Sequence, residues 1–254
     1  MDSQRHNTVQ SVERALLILE TIASYKSISL NEISKAVSLN KATILRLVNT
    51  LCLNDYITKD AFTGQYSLTL KAYEIGINAV KNNYNMHLIK SILSEISTTT
   101  NELVHFVVED NNEIITLEML GNKGNPFSVY SQVGKKAPIY CTASGKALLA
   151  TYSNEDIISK WHNINIIKYT KNTITDIDQM LQEISSIRKN GFALDNEEGE
   201  IGVFCVGVVI LNYSSQAIGA ISITTNSMAK ILDNGYPDLL VNYSNKLSNL
   251  LGYK

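Results

Sequence analysis

Cysteine is scarce in this chain: Cys52, Cys141 and Cys205 are the only three, and they lie far apart. An odd, scattered set argues against a disulfide framework and for a reducing cytosol. No apolar run reaches the roughly 18 residues that a membrane span needs. The opening residues, MDSQRHNTVQ, lack the apolar stretch of a secretory signal. Nor is there an excess of one charge: a net −2 over 254 residues excludes a polybasic nucleic-acid coat. Familiar catalytic signatures are missing too. There is no GxSxG elbow, no HExxH and no CxxC, and His6, His87, His105 and His162 are scattered. Gly145-Lys146 resembles the end of a phosphate loop, but Tyr140 stands where the first glycine belongs and Ala147 replaces the hydroxyl residue. Cys141 and Cys205 read as buried core cysteines rather than metal ligands. Asp195-Asn196-Glu197-Glu198 reads as a solvated loop rather than an acid/base pair, and Trp161 as core. No catalytic residue, metal or cofactor is expected.

What the chain does have is apolar content, 44% of residues, ample for one large domain or two smaller ones. Its charge is unevenly spread. Residues 1–71 carry eight positive and six negative side chains, leaving fourteen and eighteen for the rest. A mildly basic head on an acidic body suggests that the head is the part that meets a polyanion.

The head reads as three helices and a hairpin. From Ser11 to Ser24, Val12, Ala15, Leu16, Leu19 and Ile22 recur at helical spacing and predict one apolar face. Ser29-Leu30-Asn31-Glu32 is a capping box opening a short second helix, with Leu30, Ile33 and Val37 inward. Asn40 caps a third, on which Ile44, Leu47, Val48 and Leu51 form the buried stripe. Its opposite face shows Lys41, Ala42, Thr43, Leu45, Arg46, Asn49 and Thr50. That mixture suits a major-groove helix: Arg pairs with guanine, Asn with adenine, and small or apolar groups meet the thymine methyl. Two β-rich runs, 56–59 and 65–68, flank a turn containing Gly64 and predict a hairpin, the wing of a winged helix-turn-helix. Lys59 and Gln65 on the wing and Ser29 at the second helix complete the expected DNA-facing set.

Behind the wing, Leu70, Tyr73, Ile77, Val80 and Tyr84 make a helical seam over 70–83 that has to bury against something, its own chain or a second copy. A pair of heads would fit a palindromic site. From 84 to 254 the pattern predicts an α+β domain with an antiparallel sheet. Helices are expected at 86–98, at 143–152, after a cap at Ser153-Asn154-Glu155, at 175–190 and at 239–251, the one at 175–190 stopped by Gly191. Strands are expected at 103–109, 113–120, 127–133, 203–211 and 217–225. Alternation in the last places Ser222 and Thr224 on one strand face and Ile221 and Ile223 on the other. Two hydroxyls plus amides at the start of the 143–152 helix would suit a carboxylate.

Taken in order, five blocks resemble the IclR family of bacterial transcription regulators. They are Gln10-Ser11-Val12-Glu13-Arg14-Ala15-Leu16, Lys41 through Leu47, Thr142 through Ala150, Asn190-Gly191-Phe192-Ala193 with Asp195 through Glu198, and Gly219 through Ile223. The resemblance implies a winged helix-turn-helix at 1–69, a dimer-forming linker helix at 70–83 and a GAF-like effector domain at 84–254. It implies double-stranded DNA and a small carboxylate or sugar-acid effector as partners. It further implies a homodimer, in a family whose members often assemble as dimers of dimers; the lack of a long apolar run predicts no membrane partner. Ala143 and Ser144 match the family's ligand-facing backbone, and Asp195, Cys205, Ser222 and Thr224 its polar pocket positions. The chain departs from the family at Tyr140, Ser144 and Val208-Val209. The expected function is a ligand-responsive DNA-binding repressor; the alternative is a metabolic enzyme with an accessory helix-turn-helix head.

Overall fold

A computed structural model describes residues 8–121 and 132–253. The strand expected at 127–133 lies outside the described residues, except for its last two positions, which carry no strand. The chain divides into two compact units, Met1–Asn83 and Tyr84–Lys254.

The first unit opens with α1 (Gln10–Ala23), α2 (Leu30–Val37) and α3 (Lys41–Leu53), followed by β1 (Ile57–Lys59), β2 (Tyr66–Leu68) and α4 (Lys71–Asn83). The capping box forms as expected: the Glu32 amide donates to the Ser29 hydroxyl, and the Ser29 amide donates to the Glu32 carboxylate at 2.9 Å. Ile18, Ile22, Ile28, Ile33, Ile44, Val48, Ile57 and Tyr66 make the core. Each such aliphatic side chain contributes about 1.5–3 kcal/mol on burial. One expectation is corrected here. On α1 the buried side chains are Ile18 and Ile22, while Val12 and Leu16 are about half exposed. The helix turns its C-terminal half onto its neighbours, so the first two turns do not reach the core.

In the second unit, α5 (Met86–Thr100) precedes the hairpin of β3 (Leu103–Asp110) and β4 (Glu113–Leu120). Asn111 and Asn112 both have positive φ, 53° and 69°, which the two-residue turn requires. There follow β5 (Lys136–Pro138), α6 (Ala143–Leu149), α7 (Asn154–Asn163), α8 (Ile177–Asn190) and β6 (Ala193–Asn196). The chain closes with β7 (Phe204–Leu211), β8 (Ala217–Thr225), α9 (Met228–Asp233) and α10 (Tyr236–Leu250). Among the described residues the strands form one antiparallel sheet in the order β5-β4-β3-β8-β7-β6.

Both faces of this sheet are covered. Val104, Phe106 and Val108 on β3, Val206, Val208 and Ile210 on β7, and Ile221 and Ile223 on β8 pack against α5, α9 and α10. The alternate residues face the side of α6, α7 and α8, where Val107 and Ala220 join Leu148, Ile157, Met180 and Ile184 in a second core. The period of two is therefore strict, and both halves of the alternation end up inside. The short strands β5 and β6 and the six-residue α9 have no periodic signal and went unread in the sequence.

Candidate nucleic-acid interface and ligand cavity

On α3, Ile44 and Val48 are buried and tie the helix to the first core. Asn40 accepts the Thr43 amide at 2.8 Å and fixes where the helix begins. With that stripe committed inward, Lys41, Ala42, Leu45, Arg46, Asn49 and Thr50 are exposed, and Thr43 is half-buried at the edge of the face. Leu45 leaves 43% of its surface in water, an apolar side chain in the middle of a polar face. Thr50 donates its hydroxyl back to the Arg46 carbonyl at 3.0 Å.

The wing is anchored to this frame by Ile28 and Tyr66, which exchange backbone hydrogen bonds at 2.8 and 2.9 Å. At its tip the Asp60 carboxylate accepts from the Phe62 and Thr63 amides and from the Thr63 hydroxyl. Those bonds hold its carboxyl below the usual carboxylate range. Lys59 is exposed, with its ammonium 5.6 Å from the centre of the Tyr66 ring. Gln65 is half-buried, and its side-chain carbonyl accepts from Ser27 at 2.5 Å. Ser29 is half-buried, with its hydroxyl donating to Glu32 at 2.6 Å, so it faces α2 rather than free space.

The second unit holds a cavity of about 300 Å³ on the α6 side of the sheet. Its position follows from register. Asp195 on β6 lies opposite Cys205 on β7, which lies opposite Thr224 on β8; one step along, Gly207 lies opposite Ser222, which lies opposite His105 on β3. Gly207 is where α6 begins to cross the sheet. A Cβ there would sit 2.7 Å from the Ala143 carbonyl carbon and the Ser144 nitrogen. Glycine thus lets the chain before α6 rest on the strands, with polar side chains left on either side. Ala143, Ser144, Asp195, Cys205, Ser222 and Thr224 all line the resulting cavity. The α6 helix is seven residues long, shorter than the 143–152 span expected, and its dipole is correspondingly small.

The ionisable groups at the inner end of this cavity are buried. Burial pushes the Asp195 carboxyl up to about 7, and the charge of Glu198 adds to the rise; the Glu198 amide, donating to Asp195 Oδ1 at 2.8 Å, opposes it. The sequence reading of Asp195 and Glu198 as a solvated loop is corrected: both are buried, Asp195 to 4% exposure. Glu198 is drawn in by Lys146, whose ammonium contacts it and lies 2.9 Å from Glu183. Burial opposes the Lys146 charge, but the two carboxylates outweigh that and keep it cationic. Burial also pushes the Cys205 thiol up and the Cys141 thiol up to about 12, so both stay protonated. Cys141 is core as expected, whereas Cys205 is half-buried and faces the cavity. Among the described residues no three His, Cys, Asp or Glu side chains converge as a metal site.

Two participants escaped the sequence. His105 lines the cavity and is pushed down to about 4 by burial; a lone histidine in a strand run carries no signal of its own. In the sequence Lys146 stands beside Gly145 in an incomplete phosphate-loop pattern and within the Thr142–Ala150 block. Its role as the buried countercharge to Glu198 comes from contacts 52 residues apart in sequence.

A helix-turn-helix with a wing, followed by an α+β unit holding a cavity with a few convergent polar groups, defines a transcription regulator with a DNA-binding head and a sensing domain. Comparison places it more closely. Residues 11–61 match the IclR helix-turn-helix domain and residues 78–242 the bacterial transcriptional regulator IclR C-terminal domain. The chain belongs to the IclR family. It is therefore a DNA-binding transcription regulator with an effector-binding C-terminal domain, not an enzyme. It is 29% identical to the HTH-type transcriptional regulator KdgR of Escherichia coli over 97% of this chain and 94% of that one. Identity to XynR of the same species is 32%, covering 85% and 86% of the two chains. Identity to the DNA-binding transcriptional repressor YiaJ, again of Escherichia coli, is 28%, covering 99% and 91%. Among solved structures, the Thermotoga maritima IclR matches with a TM-score of 0.77 at 27% identity, covering 96% of this chain and 99% of that one. No helix among the described residues is long and apolar enough to cross a membrane.

Proposed function

We propose that this regulator is a cytoplasmic repressor that binds a palindromic duplex operator as a homodimer, able to pair further as a dimer of dimers, and that a small carboxylate or sugar acid in the second-unit cavity controls it. The name borne by YiaJ supports the sign of regulation. Arg46, Asn49, Leu45 and Thr43 read bases, Lys41, Lys59 and the Gln65 side-chain amide hold phosphates, and Thr50, whose hydroxyl donates to the Arg46 carbonyl, meets the DNA through its methyl group. Ala42 lets the backbone approach the groove, and Ser29 acts by fixing the start of α2.

One observation carries the effector half. Six residues from separated stretches of chain, Ala143 with Ser144, Asp195, Cys205, and Ser222 with Thr224, line a single cavity whose volume sits at the low end of small-molecule sites. A ligand carboxylate takes the Ser222 and Thr224 hydroxyls, and a ligand hydroxyl donates to Asp195. A thermal-shift screen of small carboxylates and sugar acids on the full chain tests this. A ligand that binds the folded state raises the melting temperature by mass action. Ser222→Ala is expected to abolish the shift given by a true hit. A hit unaffected by Ser222→Ala binds elsewhere and removes the assignment.

A further inference from the structure

His105 lies midway along β3 and is 6% exposed, in register with Ser222. Its Nδ1 is 3.4 Å from Thr224 Oγ1, which is itself 3.2 Å from Cys205 Sγ. Its Nε2 is buried with no hydrogen-bond partner among the described residues. A buried ring nitrogen left without a partner is unusual, and this one belongs to a side chain that lines a cavity large enough to hold one.

We propose that His105 is a ligand-reading residue of this cavity, and that a carboxylate seated against Nε2 brings a proton with it, so that effector uptake is proton-linked. The inference rests on the cavity being an acid site and deepens that reading.

An anion in this cavity needs a countercharge, and the two lysines among its described lining residues, Lys135 and Lys136, are both exposed to solvent rather than at its buried inner end. Lys146 is already engaged by Glu198 and Glu183. Lys136 sits on the exposed outer side, 2.6 Å from Asp110 and 3.6 Å from Glu113, with Lys135 beside it. From β6 Asp195 contributes a carboxyl, from β7 Cys205 a protonated thiol, and from the segment before α6 Cys141 another. Tyr169 and Glu200 complete the ionisable lining. On β4 the residue opposite His105 is the uncharged Met119. Its neighbour Glu118 pairs with Lys90 of α5 at 2.8 Å, and is in register with Phe106, which packs on the other face. His105 is thus the inner group able to turn cationic. With the ring proton on Nδ1, facing Thr224 Oγ1, Nε2 keeps a lone pair. When the carboxylate arrives, a proton from the buffer acid moves onto Nε2, and N–H⁺ donates to the carboxylate as a charge-assisted hydrogen bond.

The experiment is histidine-labelled NMR of the full chain with D-gluconate, D-glycerate and acetate as probes, at about pH 6 and about pH 7.5. The His105 ring signal is assigned by its absence in His105→Gln. The expected result is that a bound acid moves that signal to the imidazolium pattern, and that affinity is higher at the lower pH by up to about tenfold per pH unit. Asp195→Asn, which removes the cavity's buried carboxyl, is expected to leave the His105 response to acetate, which has no hydroxyl for Asp195, in place. A bound acid with His105 still neutral would overturn this inference alone and leave the acid site standing. Failure of all three acids to bind would overturn the acid-site reading, and this inference with it.

Discussion

Asp195 and His105 share one cavity but move in opposite directions on burial, and the two shifts act on stability with opposite sign. Asp195 rises from 3.8 to about 7. The folded state then binds more protons than the unfolded one, and stability is lost as pH climbs from 3.8 through 7. His105 falls from 6.5 to about 4. Its contribution is present above 6.5 and is lost as pH drops toward 4. Each shift is worth on the order of 3–4 kcal/mol at full extent, and between about pH 4 and 6.5 they offset one another. Substitution is expected to separate them in urea melts. Relative to wild type, Asp195→Asn gains stability as pH rises toward 7, and His105→Gln gains as pH falls from 6.5. Parallel pH profiles for all three proteins would show that neither group titrates there. In the head, Arg46→Ala is expected to cost about 1–3 kcal/mol on the operator and little on random duplex, whereas Lys59→Ala weakens both alike. Equal losses for Arg46→Ala on both DNAs would remove it from base reading.

Elements place these residues. The helix α3 faces outward because Ile44 and Val48 leave it no other rotation, and Asn40 sets the residue at which it begins. The approach to α6 depends on a missing side chain: Gly207 opens the sheet surface on which Ala143 and Ser144 rest. Gly207→Ala would place a methyl group 2.7 Å from two backbone atoms, with no flexible side chain to give way. The expected effect is a loss of about 1–3 kcal/mol, as for overpacking elsewhere. The thermal shift from any cavity ligand should disappear as the start of α6 lifts off β7. A Gly207→Ala protein with wild-type melting and wild-type ligand response would mean that this segment sits elsewhere.

For the molecule as a whole, the telling element is α4. None of its residues is buried within the chain, yet Ile77 and Val80 are half covered and Tyr73 leaves 67% of its surface in water. On α1, Val12, Leu16 and Leu17 are likewise exposed. A helix of this length is marginal alone, and the proposed pairing with a second copy would cover its apolar side. Tyr73→Glu is expected to yield monomers in sedimentation. Because two linked heads gain avidity, its affinity for the palindrome should fall by about 100-fold or more, with half-site affinity kept. A wild-type chain that sediments as a monomer at working concentrations would remove the proposed pairing.

Local chemistry was legible in advance. The Ser29–Glu32 box, the Asn40 cap, the 3.6-residue stripe of α3 and the strict alternation of β8 act between near neighbours in sequence, so their pattern survives in a single line of residues. The winged head, the α+β body and the hydroxyl pair Ser222 and Thr224 follow from them. Long-range register decided the rest. It covered the second face of the sheet, buried Asp195 and Glu198 in what read as a loop, brought Lys146 to Glu198, and set an unpaired His105 nitrogen at the edge of a cavity. The physical reason is that desolvation and ion pairing depend on which strands and helices meet in space, and no short window of sequence contains both partners.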